Sequence, residues 1–325
     1  MSDQLLATKL HPPLLHQDRV TRTRLHRLLQ DDLWQPLGFI RKLTLVSAPA
    51  GFGKTTLVRS WLHTSSFQFT WVSLDESDND PARFLAYLAA ALRQVNPEAG
   101  ASVLPLLQLR DPPPAAVIMT VLINEFAAHQ APLILVLDDY HAIHSAQIHQ
   151  QLSFLIDHQP QNLHLALLTR EDPLLPTARL RARGQLLEIR QADLRFTAEE
   201  TSEFIQKATG QVLDAADLAL LEDYAEGWAA GLQLTALSLH GREDAGHFIQ
   251  ILSGSNRFIL DYLVDEVYNR QAPDVQQFLL QTSILRQLSG PLCDAVTASS
   301  HCTALLQALE QANLLIAPVN EQRTW

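Results

Sequence analysis

The run Leu43-Thr44-Leu45-Val46-Ser47 is short and apolar, and it ends in Ala48-Pro49-Ala50-Gly51-Phe52-Gly53-Lys54-Thr55-Thr56. Residues 55–63 then take helical spacing. A strand, a turn poor in large side chains and a helix, in that order, bring backbone N–H groups together at the positive end of the helix dipole. That is a cradle for phosphate oxygens. The segment fits the P-loop pattern G-x-x-x-x-G-K-[ST], with Ala48 in place of the first glycine and Gly53, Lys54 and Thr55 matching. Such a turn works at the carboxyl edge of a parallel sheet covered by helices, so it constrains the whole fold. Backbone of Ala50, Gly51, Phe52 and Gly53 is expected to line the cradle. Lys54 is expected to bridge β- and γ-phosphates, Thr55 to give its hydroxyl to Mg²⁺, and Thr56 to lie near the α-phosphate.

The remaining pattern agrees with an α/β fold. Between about 40 and 190, strands are expected at 67–74, 133–137, 163–168 and 186–189. Helices are expected at 82–94, 114–129 and 146–157, and the stretch 96–114, with five prolines, reads as a loop. The alternation predicts a doubly wound parallel sheet. After Asp193 helical periods dominate. Thr197-Ala198-Glu199-Glu200 is a capping box, and Gly210, Gly227, Gly241, Gly254 and Pro273 punctuate the helices. Phe258, Leu260, Leu263, Val264 and Val267 read as the core stripe of one of them. The expected organisation is a P-loop NTPase domain over 1–195, a helical domain over 196–270 and a further small domain over 271–325. Residues 313–319 read as a strand, 320–322 as a turn and 323–325 as the start of a returning strand. The natural protein is therefore expected to continue beyond this point.

Two further features belong with the P-loop. Leu133-Ile134-Leu135-Val136-Leu137-Asp138-Asp139 is an apolar strand ending in two carboxylates, and Asp138 comes 84 residues after Lys54. This is a Walker B arrangement, with Asp138 expected to hold Mg²⁺ and Asp139 to polarise the attacking water. Thr169-Arg170 closes another strand on the same edge, where an arginine suits a γ-phosphate. Asp75, Glu76, Asp78 and Asp80 follow the second strand and read either as an acidic loop or as water-ordering groups. His141, His144 and His149 lie close in sequence without an HExxH pattern, so a zinc site is not expected.

Composition narrows the class. The chain has 325 residues, 47% hydrophobic and 18% charged, enough for two or three domains with a real core. No apolar run is long enough for a membrane span, and MSDQLLATKLHPP lacks the apolar core of a secretory signal. Cys293 and Cys302 are the two cysteines, which excludes a disulfide framework and fits a cytoplasmic protein. A net charge of −11 argues against generic nucleic-acid binding. The basic groups Arg19, Arg22, Arg24 and Arg27, Arg41 and Lys42, and Arg179, Arg181 and Arg183 read as solvated faces or, for some of them, as groups facing a bound polyphosphate.

Taken together, these residues resemble the STAND class of signal-transduction ATPases, and within it the N-terminal part of MalT-like, large LuxR-family transcriptional regulators. The resemblance is carried by Lys9-Leu10-His11-Pro12-Pro13, Val20-Thr21-Arg22-Thr23-Arg24-Leu25, the P-loop, and Trp71-Val72-Ser73-Leu74-Asp75-Glu76 with Asn79-Asp80-Pro81. It continues in Leu137-Asp138-Asp139-Tyr140-His141, Leu194-Arg195-Phe196, and Glu226-Gly227-Trp228-Ala229-Ala230-Gly231-Leu232-Gln233-Leu234. It implies a nucleotide-binding domain, a helical domain and a winged-helix domain closing over ATP or ADP with Mg²⁺. It places Val20 and Arg22 near base and ribose, and aligns Gly227-Trp228-Ala229 with a Gly-x-Pro motif whose proline packs on adenine. Here Ala229 replaces that proline. The winged helix is expected to be partial, and the DNA-binding domain to lie outside this chain, so that the chain itself does not bind specific DNA. The resemblance further implies slow hydrolysis and self-association of the full-length protein in its ATP state. A rapidly turning-over P-loop ATPase or kinase, and an interaction module with a vestigial site, are the alternatives.

Overall fold

A computed structural model describes residues 5–15, 20–97, 100–239, 257–285 and 287–311. Arg19, Gly241, Gly254, the side chain of Phe258 and the strand pair expected at 313–325 lie outside the described residues.

Five parallel strands form the sheet: β3 (Leu43–Ser47), β4 (Gln68–Ser73), β5 (Leu133–Asp138), β6 (Leu163–Thr169) and β7 (Leu186–Arg190). Their spatial order is β4-β5-β6-β3-β7, so β6 lies between the P-loop strand and the strand ending in Asp138. Successive side chains of a strand point to opposite faces. In β5, Leu133, Leu135 and Leu137 join one apolar cluster, while Ile134 and Val136 join the other. The first cluster is covered by α3 (Pro81–Val95), α5 (Ala115–Ala128) and α6 (Ala146–Asp157). The second is covered by α1 (Thr23–Gln30) and α2 (Lys54–Thr64). Burial on both faces explains why these strands read as continuous apolar runs.

The strands and long helices expected between about 40 and 190 all form, with ends shifted by a residue or two. Among the elements not expected are α1, α7 (Thr177–Ala182) between β6 and β7, and two that follow no period. A small antiparallel pair, β1 (Trp34–Gln35) and β2 (Gly38–Phe39), precedes the sheet and is tied to it by Phe39 N–H donating to the Gln161 carbonyl (2.8 Å). Within the proline-rich stretch, α4 (Val103–Leu107) forms because Val103 is buried against the sheet-side cluster. Both rest on tertiary contacts rather than periodicity.

Beyond β7 the chain is helical: α8 (Gln191–Leu194), α9 (Ala198–Thr209), α10 (Ala215–Ala225) and α11 (Ala229–Leu239). Thr197 and Glu200 form the expected capping box at the start of α9. The core of this part is small: Ile205, Leu221, Ala225, Leu232, Ala236 and Leu239. A helix at Arg257–Leu263 runs on into a π-helical turn, Val264–Tyr268. The core stripe expected there does not form as drawn, because Leu260 is 61% exposed and Val264 is exposed. Among the groups of this helix that meet the sheet domain are Tyr262 and Glu266. Helices Pro273–Thr282, Gly290–Thr297 and Cys302–Gln311 share a further core that includes both cysteines, which are free and buried. Among the described residues, no helix is long and apolar enough to cross a membrane.

Candidate functional site

The P-loop turns from β3 into α2 with Gly51 and Gly53 in left-handed conformations, φ +77° and +78°. A side chain at either position would be strained. Gly51 has a second reason for lacking one: a Cβ there would lie 2.7 Å from Ala230 Cβ, 2.8 Å from Trp228 Nε1 and 2.9 Å from the Tyr262 hydroxyl. The helical region therefore packs directly on the loop. Ala230 N–H donates to the Gly51 carbonyl (2.9 Å), and Trp228 Nε1 donates to the Ala50 carbonyl (3.1 Å).

Lys54 sits at the first position of α2, 8% exposed, and donates to the carbonyls of Ala48 (2.7 Å) and Pro49 (2.9 Å). Burial, with Arg170 nearby, pulls its pKa down to about 8. Thr55 Oγ1 donates to both carboxylate oxygens of Asp138, at 3.1 and 3.0 Å. Asp138 closes β5, 3% exposed, and burial, reinforced by Asp139, pushes its pKa up to about 7. A carboxyl so costly to ionise in isolation is one that gains from a cation. Asp139 is half-exposed with φ +55°, a conformation uncommon for a residue with a side chain. It faces the cleft in front of the loop. His141 Nδ1 lies 3.9 Å from Asp139 Oδ1 and has no hydrogen-bond partner although it is buried. Burial and the nearby Arg170 and Lys54 pull the His141 pKa down to about 3, so the imidazole is neutral.

Arg170 follows β6 and contacts Glu266 on the π turn, NH2 to Oε2 at 3.3 Å and NH1 to the backbone carbonyl at 3.4 Å. These groups line a cleft of about 1020 Å³ that also takes in Asp75, Glu76 and Arg270. Of the acidic loop, Asp78 is fully buried and pairs with Lys9 (2.5 Å) and Arg83 (3.0 Å), while Asp80 caps α3. Asp75 pairs with Lys9 at 2.6 Å. Asn79 ties this loop to the one after β5: its amide donates to the Ala142 carbonyl (2.8 Å) and accepts from the His144 and Ser145 N–H groups (2.6 and 2.9 Å). His149 is turned away, bonded through Nδ1 to the Tyr140 hydroxyl (2.7 Å).

The remaining candidates sit where the helical region meets the sheet domain. Val20 is buried. Arg22, 6% exposed, donates to Glu200 (2.9 and 3.1 Å) and to the carbonyls of Leu194 (2.7 Å) and Arg195 (2.6 Å), and stacks on Phe196. Burial pulls its pKa down, offset by Glu200. Gly227, φ +69°, lets the backbone of Phe196 approach, with Phe196 N–H donating to the Gly227 carbonyl (2.9 Å). Ala229 Cβ would lie 3.8 Å from a Cβ built on Gly53. The residues that sequence alone did not single out are Lys9, Tyr262, Glu266 and Arg270, together with the loop-bridging role of Asn79. Lys9 and Asn79 do lie in segments that carried the resemblance.

A magnesium nucleotide fits these residues. The glycine turn has no room for side chains, a buried hydroxyl–carboxyl pair lies at its end, and a buried ring nitrogen of His141 lacks a partner. Among the described residues no three His, Cys, Asp or Glu side chains gather to cage a metal unaided. Magnesium characteristically takes one or two protein oxygens and completes its shell with phosphate and water.

Similarity to known proteins bears on the same residues. The AAA ATPase domain family matches residues 20–168, and the MalT winged helix domain family matches 264–325. The HTH-type transcriptional regulator MalT of Cronobacter sakazakii is 37% identical over 99% of this chain. Over nearly its whole length the chain is MalT-like. The regulators of the same name from Klebsiella pneumoniae and Vibrio cholerae are 36% and 33% identical over 99% and 98% of it. In each case the match covers 35% of the relative, so the chain spans about a third of the length of these MalT proteins. Among solved structures, Cdc6p of Pyrobaculum aerophilum aligns over 97% of this chain and 91% of that one at 13% identity, with a TM-score of 0.48, too low to argue from.

Proposed function

We propose that this chain is the nucleotide-binding switch module of a cytoplasmic MalT-type transcription activator, binding ATP or ADP and hydrolysing ATP slowly. The observation that carries the reading is the grouping at the P-loop: Asp139 and Arg170 line one cleft with Pro49 and Ala50, Lys54 donates to the Pro49 carbonyl, Thr55 donates to Asp138, and the helical region is bonded to the loop at Ala50 and Gly51. Residues 1–195 form the nucleotide-binding domain, 196–270 the helical domain and 271–325 the winged-helix domain. Backbone N–H groups from Ala50 to Gly53 hold the β-phosphate end, with Thr56 beside the α-phosphate. The base and ribose lie where Val20 and Arg22 meet Gly227 and Ala229. Lys54 exchanges the carbonyls of Ala48 and Pro49 for phosphate oxygens. Asp139 orients the attacking water and accepts its proton, and Arg170 reads the terminal phosphate. Magnesium, held through Thr55 and Asp138, neutralises charge on the phosphates.

The diphosphate favours the form with the helical roof on the P-loop. The triphosphate favours an opened form that self-associates in the full-length protein. Each ligand moves this balance only by its different affinity for the two forms. The direct test is to denature the purified chain, identify released nucleotide by anion-exchange chromatography, and titrate the emptied protein with ADP and with ATP plus Mg²⁺. ADP at near-stoichiometric yield, lost in Lys54→Ala, is the expected result. Lys54→Ala binding nucleotide as tightly as the wild type overturns the reading.

A further inference from the structure

Among the described residues, the wall of the cleft opposite Arg170 carries one carboxylate, Glu266, and both of its oxygens are held by arginines. Oε2 lies 3.3 Å from Arg170 NH2 and Oε1 lies 2.8 Å from Arg270 NH2. Arg170 reaches across from the sheet domain, whereas Arg270 sits four residues on in the same helical segment as Glu266. The Glu266 backbone carbonyl adds a contact to Arg170 NH1 at 3.4 Å. The segment is placed firmly against the loop. Tyr262, one turn earlier, packs edge-on against Trp228 with ring centroids 5.5 Å apart, and its hydroxyl approaches Gly51. The turn itself is π-helical, a wide geometry that recurs at functional sites.

A carboxylate and a terminal phosphate are the same kind of ligand for a guanidinium, each offering two oxygens to its fork of N–H donors. They are also both anions, so they do not share one arginine in a small cleft without repulsion. From this we infer that Glu266 sets the preference between nucleoside di- and triphosphate. It competes with the γ-phosphate for Arg170, and the competition links the terminal phosphate to the contact between the two walls. The inference rests on the nucleotide reading above and deepens it. A diphosphate leaves the Arg170–Glu266 pair intact and the walls joined. A triphosphate takes Arg170, leaves Glu266 with Arg270 alone, and removes one tie between the sheet domain and the helical segment. A group that disfavours one ligand while leaving the other untouched is a specificity device built from repulsion.

The experiment measures dissociation constants for ADP and for the slowly hydrolysed analogue AMP-PNP, each with Mg²⁺, by competition against a fluorescent nucleotide. Wild type, Glu266→Gln, Arg170→Ala and the double variant are compared. Glu266→Gln keeps shape and removes charge, and at a position one-third exposed it leaves the fold in place. The expected result is that Glu266→Gln tightens AMP-PNP relative to ADP by about three- to tenfold, a range set by the partial exposure of the pair. ADP affinity stays near that of the wild type. In the Arg170→Ala background the same substitution changes the ratio by less than about twofold, because the contested group is gone. An unchanged ratio in Glu266→Gln overturns the inference, and so does a shift that persists without Arg170. Wild-type protein that binds neither nucleotide, or Lys54→Ala that binds both like the wild type, defeats the nucleotide reading itself and the inference with it.

Discussion

The sheet and the helical region beside it are held by different physics. In β5 and β6 every residue is buried, and two apolar clusters clamp the sheet from both faces. Among the described residues the core of the helical region is six residues, and Leu220 and Leu237 on its helices are exposed. Apart from Trp228, whose ring packs against the second apolar cluster, what joins the two parts is largely polar: Arg22 to Glu200 and two carbonyls, Trp228 Nε1 and Ala230 N–H to the P-loop, and Arg170 to Glu266. Apolar burial resists separation broadly and without direction, whereas each of these bonds is made or lost at a point. On the reading proposed above, the frame that carries Lys54, Asp138 and Asp139 stays rigid while the roof over it detaches.

Substitutions on each side sharpen this contrast. The largest effect is expected for Leu135→Ala, central in the sheet and fully buried. It should lower global stability by about 3–5 kcal/mol, read from the denaturant midpoint. A loss below about 1 kcal/mol would break the comparison, because it would mean that the frame is no better packed than its roof.

Next is Asp138→Asn in the ligand-free protein. The Asp138 pKa lies near 7, above its unfolded value of 3.8. Between those values the folded protein keeps a proton that the unfolded chain has lost, so its contribution to stability falls as pH rises towards 7 and is flat above. Asn removes that dependence and should stabilise the ligand-free protein by roughly 2–4 kcal/mol at pH 7.5. Melting both proteins from pH 4 to pH 8 checks it, and parallel curves would refute it.

Arg22→Ala should cost about 1–3 kcal/mol, by removing the buried guanidinium that donates to the Leu194 and Arg195 carbonyls and to Glu200, the last two of which keep Arg24 as a donor. Its signature is local: amide exchange should quicken in α9 to α11 and stay slow in β3 to β6. Uniform quickening would show that roof and frame unfold as one. Smallest is Arg179→Ala, whose partner Asp157 is exposed on the sheet domain, at about 0.5 kcal/mol or less in the same melts.

The sequence was most legible where structure follows period. The P-loop, the Walker B strand and Arg170 each announce themselves within ten residues, and the sheet follows from apolar runs separated by helical spacing. The contacts between frame and roof were not legible, because they pair residues far apart along the chain. Arg22 and Glu200 are 178 positions apart, Trp228 and Ala50 also 178, and Arg170 and Glu266 are 96 apart. Glu200 shows the limit well. Its capping-box role was visible in four residues, and the structure adds to that same carboxylate a buried ion pair with Arg22 that no local pattern encodes. Glu266 and Arg270 gave no motif at all, and the apolar spacing around them suggested a core stripe instead of a cleft wall. Hairpin β1–β2 and α4 were missed because two-residue strands and a single proline-containing turn hold too few residues to show a period.

Gly51 carries a consequence for how variation in this loop is read. Three groups from two other elements stand within 3 Å of where its side chain would begin. Its smallness therefore satisfies two tenants at once, the ligand in front and the neighbouring helices behind. Even an alanine there would confound the two, since loss of nucleotide and failure of the roof to seat would arrive together. Variants of Trp228 or Tyr262, which change the neighbour and leave the loop's own backbone as it is, are the ones that can tell the tenants apart.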